Sequence, residues 1–470
     1  MRQRVIRHIV ERWVDPGAAF SLLYGDSERA FWFDSGVAAS DGLSFMGEGV
    51  SVVTASLAEG RLRSDPPGRV LPDDIFEFLA AQQERGAEDA EPRDAEPRDI
   101  ESGFGLGWVG WLGYELRART MGVKPARASR YPDAAWMEVT RALEFDHRTG
   151  TVSLLALGEE WSGEVAYWRD SVLAALAAGP AAPVVQAPPA DAGAAVRWRY
   201  GDEEYLAMIR QCQAAIVDGD AYQLCLTSEA TVDAHPEPLA AYLVLRASSP
   251  THHGGFLRVG EVSLLSSSPE RFLSVSPDGV IESKPIKGTR RRGRTAEEDT
   301  RLRDELEGSE KERAENLMIV DLMRNDIARV SRVGSVNVPS LLAVESYAQV
   351  HQLVSTVRGR LAEGLRPVDA VLACFPAGSM TGAPKSSATA ILERLEDRAR
   401  GIYSGAFGYF GLDGRIDLAM VIRSIVLDRN GATVGSGGGI TALSVPEEEL
   451  DEVKLKATAL LAVLGVTEDA

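Results

Sequence analysis

The sequence predicts a mixed chain in which α-helices pack on β-sheets, and two observations carry that prediction. In the first half, apolar runs such as Phe31-Trp32-Phe33 and Val152-Ser153-Leu154-Leu155-Ala156-Leu157 read as strands. Beyond residue 200, helical spacing and helix-start signatures alternate with further short strand-like runs.

Taken in order, the first punctuation is at 85–103, where Ala90-Glu91-Pro92-Arg93-Asp94 is nearly duplicated by Ala95-Glu96-Pro97-Arg98-Asp99. This stretch is charged, bears proline and lacks large apolar residues, so it reads as a surface loop. Residues 179–196 are rich in Ala, Pro and Gly and read as a linker or surface crossover between region 1–178 and region 197–470. From 202 to 218, Tyr205, Leu206, Ile209, Cys212 and Ile216 recur at helical spacing. Thr295-x-x-Glu298, Ser309-x-x-Glu312 and Ser444-x-x-Glu447 are capping-box signatures, the last opening a helix that runs to about residue 464. Strands are expected at 262–265, 272–275, 418–427 and 432–435.

Composition bounds the function. The chain has 470 residues, 45% of them hydrophobic, enough for one large core or two ordinary ones. No run approaches the ~20 apolar residues of a membrane span. Arg2, Arg4 and Arg7 lead into Glu11, Arg12 and Asp15 instead of a long apolar region, unlike a signal peptide. Cys212, Cys225 and Cys374 are far apart, which fits buried thiols in a reducing, cytoplasmic setting. A formal charge of −19 disfavours nucleic acid and anionic membranes as partners, but leaves room for a small anionic substrate in a local basic pocket.

The chemistry-bearing residues begin with Lys287, between Pro285 and Gly288 and followed by Arg290, Arg291 and Arg292. Proline and glycine suggest a sharply shaped loop. Neighbouring cations, Lys284 among them, would favour the neutral, nucleophilic amine. Glu312 and Glu315 share a helix face at a spacing of three, as do Glu449 and Glu452, with Lys456 one turn on. Solvated acids so placed repel, and a hard cation such as Mg²⁺ would reverse that repulsion. The run Gly435-Ser436-Gly437-Gly438-Gly439 follows an expected strand and would let backbone amides approach an anion.

The order of the motifs is more specific than any one of them. Gly219-Asp220-Ala221-Tyr222-Gln223, Ser268-Pro269-Glu270-Arg271-Phe272, Pro285-Ile286-Lys287-Gly288-Thr289 and Glu312-Arg313-Ala314-Glu315-Asn316 come first. Val320-Asp321-Leu322-Met323-Arg324-Asn325-Asp326, Gly382-Ala383-Pro384-Lys385, Tyr403-Ser404-Gly405 and the glycine run with its final helix follow. The chain resembles the chorismate-utilising enzymes, which include anthranilate synthase component I, aminodeoxychorismate synthase component I, and isochorismate and salicylate synthases. The likeness is strong over about 200–465 and loose before it.

That resemblance implies an α+β fold: a large two-sheet antiparallel sandwich with helices outside and the N- and C-terminal segments interleaved. It implies Mg²⁺ as cofactor, with Glu315 and Glu452 as ligands and Glu312 and Glu449 acting through water. Glu270 matches the general acid on the departing hydroxyl, and His351 matches a histidine beside the reacting ring. Tyr403, Arg423, Gly437, Gly438, Gly439 and Lys456 match substrate-binding positions, with Gln223 and Thr289 beside the substrate. Gln223 stands where water-adding relatives carry lysine, and Lys287 where aminodeoxychorismate synthases do. The implied reaction is amination of chorismate to 4-amino-4-deoxychorismate. Lys287 adds to the ring as the hydroxyl at carbon four leaves, and ammonia then enters at carbon four and expels Lys287. Ammonia would come from a separate glutamine amidotransferase, because no Gly-x-Cys-x-Gly elbow is present. A downstream aminodeoxychorismate lyase would complete 4-aminobenzoate, for folate or a specialised metabolite. The alternatives are anthranilate synthase component I and a non-catalytic chorismate-binding or regulatory subunit.

Overall fold

The computed structural model describes residues 4–37, 39–89, 103–123, 125–179, 195–347 and 350–466. The duplicated pentads and nearly all of 179–196 lie outside the described residues. Two antiparallel sheets dominate, one of twelve strands and one of eleven. Both draw strands from the two halves of the chain. Arg29–Asp34 pairs with His253–Val259 in the first sheet, and Gly107–Leu112 pairs with Ala406–Gly411 in the second.

The sheets face each other across one apolar layer. Phe31, Phe45, Leu155, Leu257 and Leu264 come from the first sheet, and Val109, Trp111, Met137 and Phe407 from the second. Period-two alternation makes this layer possible, since each strand sends its other face to the outer helices. Pro16–Tyr24, Pro238–Ser248 and Pro446–Val463 cover the outside of the first sheet. Ile75–Asp89, Glu310–Ala328 and Pro367–Cys374 cover the second. The expected sandwich with helices outside is the observed one. Among the described residues, no helix is long and apolar enough to cross a membrane, and all three cysteines are free and buried.

Several local expectations hold. Asp202–Val217 is a helix burying Tyr205, Ile209 and Cys212. Thr295 and Ser309 cap their helices by accepting from the amides of Glu298 and Glu312. Others are corrected. The run 418–427 is two strands, Ile416–Met420 in the second sheet and Ser424–Asp428 in the first. The chain changes sheets between them, with Arg423 turned to φ +51°. The glycine run does not follow a strand but lies in the body of the strand Gly431–Ile440. The final helix, Pro446–Val463, has Val445 as its N-cap, and no side chain caps it. Pro446 already lacks an amide hydrogen, and the Ser444 hydroxyl bonds Glu449 Oε1 at 2.7 Å.

Candidate active site

Lys287 is not on a free loop. It lies in the strand Ile286–Arg291, which pairs with Val350–Arg360 as Ile286↔Val354 and Thr289↔Gln352. Two residues, Lys287 and Gly288, therefore face one, and this bulge re-aims the lysine. Gly288 has φ +82°, and a Cβ there would stand 2.8 Å from Leu306 and 2.9 Å from Glu312. The bulge thus needs glycine.

The re-aimed ammonium points across to the first sheet. Its Nζ is 3.5 Å from Glu315 Oε2 and would be 3.6 Å from a Cβ on Gly439. That same Cβ would overlap Gln223 Nε2, so Gln223, Gly439 and Lys287 converge on one point. The convergence follows from register: Gln223–Val232 pairs with Gly431–Ile440 as Leu224↔Ile440 and Cys225↔Gly439. Gln223 is 1% exposed, and its Oε1, also buried, has no hydrogen-bond partner. Such an orphaned acceptor calls for a donor from outside the chain.

Glu270 occupies the crossing from Val262–Ser268 in the first sheet to Arg271–Val275 in the second. Burial pushes its carboxyl up to about 7, although the Lys287 charge and hydrogen bonds from the Ser379 hydroxyl and the Ile286 amide oppose the rise. The cations expected to keep Lys287 neutral are otherwise engaged. Arg290 pairs with Glu305 and Glu312, Arg291 with Glu298, and Arg292 with Asp299. Lys284 lines a different cavity. For Lys287 burial favours the neutral amine, but Glu315, Cys225 and Glu270 outweigh it and the net shift is upward. The resting lysine is an ammonium.

The four predicted glutamates lie on two facing helices. Glu312 and Glu315 are on Glu310–Ala328, and Glu449 and Glu452 on Pro446–Val463. Burial raises Glu449, and the neighbouring Glu452 charge adds to the rise. Burial also raises Glu452, but Lys456, then Lys311 and Lys287, pull it below its ordinary value. Lys456 binds Glu452 Oε1 at 2.7 Å and donates to Gly437 O at 2.9 Å. Glu449 Oε2 would stand 3.1 Å from a Cβ on Gly438, so the bare strand lets the final helix approach. Among the described residues, no three His, Cys, Asp or Glu side chains form a ready metal cage. The donor set suits a hard cation that takes one or two carboxylates and completes its shell with water and substrate.

The remaining predicted residues divide. The ring of buried Tyr403 lies where a Cβ on Gly435 would be. Arg423 is exposed in part yet stands near Tyr403 and Glu452, where burial of its guanidinium lowers it from its ordinary value, and it bonds Lys456 O at 3.5 Å. Thr289 is exposed. His351 is 1% exposed and its ring nitrogens bond Ser346 Oγ at 2.8 Å and Asp299 at 3.0 Å. Those bonds tie it to Ser346 and to the Ala296–Gly308 helix, and its strand position lies opposite Arg290, three residues along from Lys287.

Sequence reasoning missed Ser379, which bonds Glu270, and Cys225, whose field Lys287 feels. It also missed the support below them. Arg400 donates to Cys225 O at 2.9 Å and pairs with Glu396, which accepts from Thr227 N at 3.0 Å. The only sequence signal was an acid and a base four apart on either side of a helix end. A separate cavity of about 340 Å³ lies between the sheets, with Pro269 and Ile286 in its wall beside Phe33, Arg271, Lys284 and Tyr409. It holds none of the predicted site residues.

Comparison with known proteins follows the same lines. The chain is 42% identical to the aminodeoxychorismate synthase of Streptomyces griseus over 98% of this chain and 64% of that protein. It is 38% identical to anthranilate synthase component 1 of Thermus thermophilus over 77% of this chain and 78% of that one. Anthranilate synthase component I from Streptococcus pneumoniae superimposes with a TM-score of 0.76 at 28% identity, covering 97% of this chain and 99% of that one. The chain spans 64% of the length of its Streptomyces griseus and Streptomyces pristinaespiralis relatives. With the match to chorismate binding enzyme extending over residues 30–462, the chain belongs to that family.

Proposed function

We propose that this chain aminates chorismate to 4-amino-4-deoxychorismate, using ammonia from a glutamine amidotransferase partner, on the way to 4-aminobenzoate. The observation that carries the reading is Lys287 itself. A bulge turns its amine into the one place where Gln223, Gly439, Glu270 and Glu315 meet. Gln223 has no basic atom, so the position opposite Lys287 does not activate water. Lys287 adds to the ring as Glu270 gives its proton to the hydroxyl leaving carbon four. Ammonia then takes carbon four and the lysine departs with the electrons of its ring bond, so a nitrogen replaces the lost oxygen. Lys287 must first give up its proton, and Glu270 and Glu315 are the carboxylates within its field.

Glu315 and Glu452 would hold Mg²⁺, with Glu312 and Glu449 behind them through water. When bound, the ion would neutralise the carboxylate of the substrate ring. Turnover should then be lost with chelator and return with Mg²⁺. Glu452→Gln should raise the Mg²⁺ concentration for half-maximal rate by about 10-fold or more, read in a metal titration.

The test of function incubates the chain with chorismate, Mg²⁺ and an ammonium salt, with and without an aminodeoxychorismate lyase. The expected product is 4-amino-4-deoxychorismate, converted to 4-aminobenzoate only in the lyase tube. Anthranilate without lyase would assign the chain to the other amination, which its 38% identity to an anthranilate synthase component 1 keeps in view. No turnover would favour a binding subunit.

A further inference from the structure

The segment Gly382-Ala383-Pro384-Lys385 has no role in the chemistry above, yet Lys385 is tied down firmly. Its ammonium donates to Asp326 Oδ2 and, at 2.8 Å, to the carbonyl of Cys374. Asp326 is 3% exposed and lies on the Glu310–Ala328 helix, three turns beyond Glu315. Cys374 ends one helix and Lys385 begins the next. The lysine therefore closes the ten residues between them, 375–384, into a loop and pins that loop to the helix carrying Glu315.

That loop supports the site twice. Its 3₁₀ turn, Gly378–Met380, brings the Ser379 hydroxyl to Glu270. Thr381 O and Ala383 O then accept from the amides of Cys225 at 2.8 Å and Tyr222 at 2.7 Å, holding the strand end that presents Gln223. The turn sits directly on the pinned helix, because a Cβ on Gly378 would overlap Leu322. A buried ion pair is weak evidence for stability, since matched apolar replacements often do as well. Such a pair can instead fix geometry, and here both of its ends lead to reacting groups.

We propose that Lys385 and Asp326 are positioning residues: their ion pair closes the 375–384 loop on the Glu310–Ala328 helix and thereby fixes Ser379, and through it Glu270, relative to Lys287. This inference rests on the proposed function for the roles of Glu270 and Lys287. Turnover is therefore followed as chorismate consumption, which tests the clamp whichever product forms, while product identity tests the function separately.

The decisive variant is Lys385→Met/Asp326→Leu, which removes the pair without leaving a buried charge. It should melt near the wild-type temperature. Its kcat should fall about 10- to 100-fold, with KM for chorismate within about 2-fold, the mark of misplaced reacting groups. In a Ser379→Ala background the same double change should cost under about 3-fold, since the relay is already cut. A well-folded double variant with wild-type kcat would overturn the proposal, as would an undiminished loss in the Ser379→Ala background. Should the double variant not fold, Asp326→Asn, which keeps the shape and removes the ion pair, is measured in the same way, and a wild-type kcat there would also overturn the clamp.

Discussion

Lys287→Ala should stop formation of the four-amino product while chorismate binding stays measurable. Removing the nucleophile of a covalent route removes the route, so the loss in kcat should be on the order of a thousandfold or more. The substitution has electrostatic consequences as well. Lys287 is the largest influence holding Glu270 down against burial, so its loss drives that carboxyl further toward the protonated form. It also leaves Glu315 without its partner 3.5 Å away. Loss of the ammonium makes the pocket more negative, and the protonation of Glu270 offsets part of that, so binding of an anionic substrate should weaken and yet stay measurable. Binding is followed by tryptophan fluorescence and product by chromatography. A variant that makes the four-amino product at the original rate would refute the covalent role.

Much of this site was legible in the sequence because motif order encodes it, but the reason Lys287 is poised was not. Arg290, Arg291 and Arg292 look like its electrostatic neighbours along the chain. In a strand, successive side chains leave on opposite faces, and the three arginines pair with carboxylates of the following helices. The glycine run was read as a stretch after a strand whose backbone amides could approach an anion, since nothing local distinguishes that from a strand stripped of side chains. Only the folded chain shows Tyr403 behind Gly435 and Glu449 against Gly438. Sheet membership was equally hidden: 418–427 is a continuous apolar run, yet it contributes to both sheets. The two hydrogen bonds of His351, to Ser346 and Asp299, were equally invisible along the chain. Ser379 and the Lys385–Asp326 pair escaped because long-range partners 59 residues apart leave no periodic trace.

Glu270 should govern the acidic limb of the pH profile, with a sign opposite to that of a simple general acid. The reacting form needs Glu270 protonated and Lys287 neutral. At rest the pair holds the same single proton on the lysine, since Glu270 titrates at about 7 and Lys287 is held above its ordinary range. The reacting form is thus a minor tautomer of the singly protonated pair, and its population follows that pair. As pH falls through about 7 the pair takes a second proton, Lys287 has no neutral form to draw on, and the rate drops. The profile of kcat/KM for chorismate, which reports the free enzyme, should therefore rise with pH through about 7 and level off above it. Free ammonia must be held constant at each pH, because its own protonation would imitate the limb. Glu270→Gln should lower kcat about 100- to 10,000-fold, the usual contribution of a positioned acid. It should also remove the limb, because glutamine has no proton to exchange in this range. If the limb persists unchanged in Glu270→Gln, the titrating group is another residue and the assignment of Glu270 as the acid fails.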